Sequence, residues 1–151
     1  MTGRKKTYRT AYVLIILSML HFSISCESGK ANYRNPLIID GRAIVDVSSL
    51  KDMVPVFYSV DIDSTKVDFF VVSIKGTIEA YLDACENCYH HRKGYLVEGY
   101  HIICRYCGSR YLLDSLKVGI ASCHPMPLKG EVENETYVIS LKEIEKARRF
   151  F

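Results

Sequence analysis

The sequence predicts a mainly β domain, preceded by an N-terminal export or anchor segment and closed by one short helix. Three observations carry that expectation. Beyond about residue 40 the apolar residues fall in short runs divided by turn residues, as the strands of an antiparallel body do. The chain has 11 Tyr and 6 Phe, with many Val and Ile, types that suit a pleated, half-buried surface. Helical patterning is confined to the last residues, "SLKEIEKARRFF". At 151 residues the chain has room for one domain.

The first 25 residues stand apart. "MTGRKKTYRT" carries Arg4, Lys5, Lys6 and Arg9 and no acid, and "AYVLIILSMLHFSIS" follows without a charge. A basic flank before an apolar run marks residues 1–25 as a signal peptide or membrane anchor. The run is shorter than the roughly 20 apolar residues of a spanning helix, which favours a signal. The basic flank puts the N-terminus on the cytoplasmic side and the rest outside. Cys26 closes the segment in "FSISC", where lipoprotein processing would make it the lipidated first residue; Ser23 stands where an aliphatic residue is usual. Without residues 1–25 the formal net charge falls from +3 to −1, because four cations and no acid are removed. That balance excludes a nucleic-acid partner, which needs a basic stripe.

Residues 26–36, "CESGKANYRNP", are polar with Gly and Pro and are expected as a tether, with the domain at 37–151. Strands are expected at "AIVDV" (43–47), "VPVFYSVDI" (54–62), "KVDFFVVSIKG" (66–76) and "TIEAYLDA" (77–84), the last running into the first cysteine pair. "GYLVEGYHIICR" (94–105) reads as a hairpin turning near Glu98 and Gly99. "GIASCHPMPLKG" (119–130), with one Gly at each end and two prolines, reads as loop, and "ETYVISL" (135–141) as a last strand. In the final helix Ser140 and Glu143 have capping-box spacing, with basic residues in the last turn.

Four of the 6 cysteines form two Cys-x-x-Cys pairs, Cys85/Cys88 and Cys104/Cys107, separated by fifteen residues. Each turn lets two thiolates converge while the intervening backbone N–H groups point at the sulfurs. Two turns give a four-thiolate cage for tetrahedral zinc or an iron–sulfur cluster. The spacing fits a metal site better than it distinguishes metals. Two disulfides are the competing reading for an exported protein, and a metal-free thiol-redox pair is a third. Gly108 after Cys107 supplies the positive φ that closes such a turn. His90, His91 and His124 read as solvated loop residues, and Asp83 and Glu86 as solvated acids. Tyr89, Tyr106 and Tyr111 are expected to shield sulfurs from water. No Ser/His/Asp set, phosphate loop or spaced carboxylate pair is present, so the residues point to an electron-transfer protein rather than a stand-alone catalyst.

"CRYCGSRY" resembles the second ligand loop of Rieske proteins, where Cys-x-x-His precedes Gly-Ser-x-aromatic, and the strand order before it is similar too. Where a Rieske centre has two histidines this chain has Cys88 and Cys107, and four thiolates imply a potential well below the Rieske range. "LDACENCY", "KGYLVEGYHIICRYCG" and "ASCHPMPL" together resemble the FtrD-like membrane iron–sulfur proteins, over nearly all of residues 40–145. The resemblance implies a Rieske-like antiparallel β domain with Cys85, Cys88, Cys104 and Cys107 holding a [2Fe–2S] cluster. Cys123 matches the later Cys-x-Pro-x-Pro block and is a further metal-proximal candidate. The resemblance also implies single-electron transfer on the outer side of a bacterial cell membrane. Its partners there would be membrane redox or iron-permease components, and its setting the redox handling of iron during uptake. The rival expectation is a lipoprotein binding module whose four cysteines hold one structural zinc.

Overall fold

The central strands alternate between two hydrophobic cores, and that double burial explains the long apolar run at 66–76. The computed structural model describes residues 31–116 and 123–151; the expected signal or anchor at 1–25, and Cys26, lie outside the described residues. Among the described residues, eleven strands run β1 (Leu37–Ile39), β2 (Arg42–Asp46), β3 (Val56–Ile62), β4 (Thr65–Ile74), β5 (Thr77–Cys85), β6 (Tyr95–Glu98), β7 (His101–Cys104), β8 (Arg110–Leu112), β9 (Pro125–Pro127), β10 (Glu131–Glu133) and β11 (Thr136–Ser140), before helix α1 (Leu141–Ala147). They form three antiparallel sheets, β1-β2-β11-β10, β3-β4-β5-β9 and β6-β7-β8. The mainly β, antiparallel expectation holds.

On one face of β3-β4-β5, Tyr58, Val60, Val67, Phe69, Val71, Leu82 and Ala84 pack with Ala43, Val45, Ile139 and Ile144. On the other face, Phe57, Phe70, Val72, Tyr81 and Cys85 pack with Tyr95, Ile102, Cys104 and Leu113. Strand β4 therefore has no solvent side from Phe69 to Ser73, and its sequence is a continuous apolar run rather than an alternation. Directly paired aromatics stiffen both faces. Tyr58 lies opposite Phe69 with ring centroids 5.6 Å apart, and Phe70 opposite Tyr81 at 5.6 Å; such pairs add about 0.5–1.5 kcal/mol beyond burial.

Two tight loops set the meander. Asp63–Ser64 joins β3 to β4 and Lys75–Gly76 joins β4 to β5, with positive φ at both residues of each. That backbone matches the twist of the strands it connects. It fixes which end of β5 carries Cys85. The expected hairpin is β6–β7, with Glu98 opposite His101.

Two local expectations are corrected, in the 119–130 loop and at α1. A compact unit runs from Ala31 to Phe151. The Arg34 N–H donates to the Phe57 carbonyl and the Ser59 N–H to the Arg34 carbonyl, both at 2.9 Å. Tyr33 packs edge-on against Phe57 at 5.7 Å. An unpaired edge of β3 thus captures residues that composition alone assigned to a tether. Within the expected loop 119–130, residues Pro125–Pro127 form β9 at the edge of the central sheet, where a missing N–H is tolerated. At α1, Ser140 Oγ accepts from the Lys142 N–H at 3.3 Å, while Glu143 pairs with Lys146 at 2.6 Å, so only the serine half of the capping box forms. Among the described residues no helix is long and apolar enough to cross a membrane.

Candidate metal centre

Three strand ends meet at one end of the domain, and each delivers cysteine. Cys85 is the last residue of β5, Cys104 the last of β7, and Cys123 lies two residues before β9. Cys88 and Cys107 follow on the loops that leave β5 and β7. The antiparallel pairing does the positioning: Cys85 lies opposite Pro125 and Cys104 opposite Tyr95. Among the described residues five cysteines are free thiols, with Cys85 and Cys104 buried, Cys88 and Cys123 half-buried and Cys107 exposed. The disulfide reading of the two pairs is not realised.

The sulfurs converge in two overlapping groups. Those of Cys85, Cys88 and Cys104 lie within 4.8 Å of one another, as do those of Cys88, Cys107 and Cys123. Both expected pairs are therefore brought together, and Cys123 joins them, with its sulfur 3.5 Å from Cys107 and 3.9 Å from Cys88.

Each loop aims its backbone at sulfur, as the Cys-x-x-Cys spacing predicts. The N–H groups of Asn87 and Cys88 donate to Cys85, and those of Tyr106 and Cys107 donate to Cys104. The turns are closed by the Cys88 N–H on the Cys85 carbonyl at 3.2 Å and the Gly108 N–H on the Cys104 carbonyl at 2.9 Å. Gly108 has φ +75°, the left-handed conformation expected from its identity.

The thiols differ in acidity. The Ser109 hydroxyl, 3.2 Å from Cys107, brings that thiol down to about 6. Burial pushes Cys85 up, but the N–H groups and neighbouring thiols on its sulfur together outweigh it and leave the thiol below its ordinary value. Burial pushes Cys88 and Cys104 up, and Cys123 up to about 11.

Sequence reasoning missed two groups beneath the sulfurs. Asp83, read as solvated, is only 4% exposed; its carboxylate accepts from the Tyr33 hydroxyl and, at 2.7 Å, from the Tyr95 N–H. Burial pushes that carboxyl up to about 6, against the two hydrogen bonds. The signal was available: Tyr81, Asp83 and Cys85 alternate on one face of β5, so a Cys85 aimed at a centre places Asp83 beneath it. Tyr95 is the second. It is buried, its hydroxyl donates to the Cys123 carbonyl at 2.9 Å, and it also faces the Cys85 sulfur. Tyr95→Phe is expected to lower stability by about 1 kcal/mol, read as a shift in denaturant midpoint at unchanged slope.

The other named residues take varied places. His91 stacks on Tyr106 at 3.5 Å and 11°, tying the two cysteine loops together, and His90 lies 4.1 Å from His91. Tyr106 is 52% exposed and covers His91. Tyr89 packs against Phe150 at 5.2 Å, in the core away from the second pair. Tyr111 packs 4.0 Å from His124, whose buried Nδ1 has no hydrogen-bond partner among the described residues.

The model of one protein family, described as membrane iron-sulfur containing protein FtrD-like, matches residues 50–151 and takes in all five clustered cysteines. The chain belongs to the FtrD-like family. Comparison with curated proteins gives no match. Among solved structures, the ferredoxin of carbazole 1,9a-dioxygenase from Nocardioides aromaticivorans IC177 is similar at 15% identity, with a TM-score of 0.39, over 71% of this chain and 98% of that one. At that distance the likeness carries no argument about this chain.

The donor set present suits the family's iron–sulfur character. Among the described residues the site offers only thiols, the soft ligands that iron–sulfur clusters take. Backbone N–H groups already point at two of the sulfurs, and buried aromatic and aliphatic side chains close the strand side. The residues fit the group, and family and geometry together support a bound iron–sulfur cluster.

Proposed function

We propose that this chain is a membrane-tethered electron-transfer protein whose Cys85, Cys88, Cys104 and Cys107 hold a [2Fe–2S] cluster on the outer side of the cytoplasmic membrane. The convergence of two Cys-x-x-Cys loops at the ends of β5 and β7 carries the reading. When bound, the cluster supplies a one-electron couple. The protein's own part is to hold, orient and shield. Cys85 and Cys104, buried at strand ends, fix the deep side; Cys88 and Cys107, on the loops, form the side open to solvent. The N–H groups on Cys85 and Cys104 stabilise negative charge on sulfur, and Phe70, Tyr95 and Ile102 exclude water beneath. The open side, with Cys107 exposed, is where an electron would enter or leave. Membrane redox or iron-permease components are the partners this reading calls for, and redox handling of iron during uptake is its setting.

Potentiometric titration of the iron-loaded full chain tests it. An all-thiolate set is expected to give a one-electron couple near the ferredoxin value, about −400 mV, rather than in the Rieske range of about −150 to +300 mV. A chain that holds iron and sulfide yet shows no reversible couple would refute the electron-transfer reading.

A further inference from the structure

The centre contains one thiol more than a four-ligand cluster uses. Cys123 comes from a different segment than either Cys-x-x-Cys loop, yet its backbone is tied to the first of them and to β6. The Tyr95 hydroxyl donates to its carbonyl at 2.9 Å, and the Glu86 N–H donates to the carbonyl of the next residue, His124, at 3.2 Å. These bonds hold the Cys123 sulfur against the open side, 3.5 Å from Cys107 and 3.9 Å from Cys88. The two sulfur triads share Cys88 and differ in the rest: one is completed by buried Cys85 and Cys104, the other by Cys107 and Cys123. Cys107 is the exposed member, on the turn that follows β7, and it has another partner available in the Ser109 hydroxyl at 3.2 Å. The geometry therefore places an alternative sulfur donor beside the least enclosed ligand.

We propose that Cys123 is a reserve ligand that exchanges with Cys107 at the open side of the cluster. The inference rests on the iron–sulfur reading above and deepens it. In the exchange the iron–sulfur bond to Cys107 breaks and one to Cys123 forms. Cys123 gives up its thiol proton, Cys107 takes one, and no electron changes hands. Cys123 also approaches Cys85, but Cys85 is buried at a strand end while Cys107 is exposed, so Cys107 is the ligand that Cys123 replaces.

The test uses the full chain, loaded anaerobically with ferrous iron and sulfide, as wild type, Cys107→Ala, Cys123→Ala and the double variant. Iron, sulfide and visible spectrum are measured, circular dichroism checks folding, and iodoacetamide labelling is mapped to individual cysteines. Wild-type chain is expected to label at Cys123 while Cys85, Cys88, Cys104 and Cys107 are protected. Cys107→Ala is expected to keep most of its iron and sulfide and to protect Cys123, and the double variant to lose nearly all of both. Protection of Cys123 in the wild type would overturn a reserve role without recourse to any variant. So would a Cys107→Ala chain as empty as the double variant, or one that leaves Cys123 as reactive as before. Wild-type chain without iron and sulfide would overturn the iron–sulfur reading and this inference with it. Wild-type chain that holds both, beside an empty Cys107→Ala, would overturn the exchange alone.

Discussion

Cys104→Ala is expected to give a folded chain that retains almost no iron or sulfide. Cys104 is 1% exposed at the end of β7 and cannot be replaced by movement of a loop. Its N–H donates to the Ser109 carbonyl at 3.0 Å and its carbonyl accepts from Gly108 at 2.9 Å, so the backbone is held on both sides of the sulfur. That sulfur in turn receives the N–H groups of Tyr106 and Cys107. Removing it leaves Cys85 alone on the deep side, and the other sulfurs lie toward the open side. The stability cost is small by comparison, since a free buried cysteine packs as a small hydrophobe. Elemental iron, acid-labile sulfide and far-ultraviolet circular dichroism on the same sample separate the two effects. Native circular dichroism with wild-type iron and sulfide would exclude Cys104 as a ligand.

Gly94→Ala is expected to be the most damaging single-methyl change in the site's support. Gly94 has φ +63°, and a Cβ there would sit 2.4 Å from Asp83 Oδ2 and 2.8 Å from its Cγ. The carboxylate cannot swing aside cheaply, because the Tyr33 hydroxyl and the Tyr95 N–H hold it in a buried position. The left-handed backbone costs about 1–2 kcal/mol, and disturbing a buried hydrogen-bonded acceptor about 1–3 kcal/mol more. About 3 kcal/mol in all is a large part of the roughly 5–15 kcal/mol that holds a domain together. The damage reaches the thiols, since the Gly94 carbonyl accepts from the Arg105 N–H at 3.0 Å, next to Cys104. Gly99→Ala is the control. Gly99 also has positive φ, +58°, but nothing lies within 4 Å of its would-be Cβ. Only the conformational cost of about 1 kcal/mol applies there. Denaturant unfolding of the two variants should differ by about 2 kcal/mol on these costs; equal midpoints would refute the packing of Asp83 under Gly94.

The contrast between these positions also explains what the sequence discloses. Strands β2 to β7 and β11 are visible because each has enough apolar residues to show a pattern, and the helix because Ser140 precedes a charged, helix-favouring run. Strands β1, β8, β9 and β10 have three residues each, too few for any period to register, and β9 begins and ends with proline. They exist because longer neighbours offer them an edge. The four paired cysteines were legible because their chemistry is written in local spacing, with the ligand turn and its N–H donors contained in Cys-x-x-Cys. The place of Cys123 beside Cys107, and of Tyr33 and Tyr95 on Asp83, depends on strand pairing between segments far apart in the chain. Tyr33 and Asp83 stand 50 residues apart; no local pattern brings them together.

The most direct measurement is the visible spectrum of the full chain purified anaerobically, taken with iron, zinc and sulfide content and repeated after reconstitution with iron and sulfide. The account predicts red-brown absorption with two irons and two sulfides per chain, as a [2Fe–2S] cluster requires. A colourless chain carrying one zinc, unchanged by reconstitution, would contradict it and make the four cysteines a structural site.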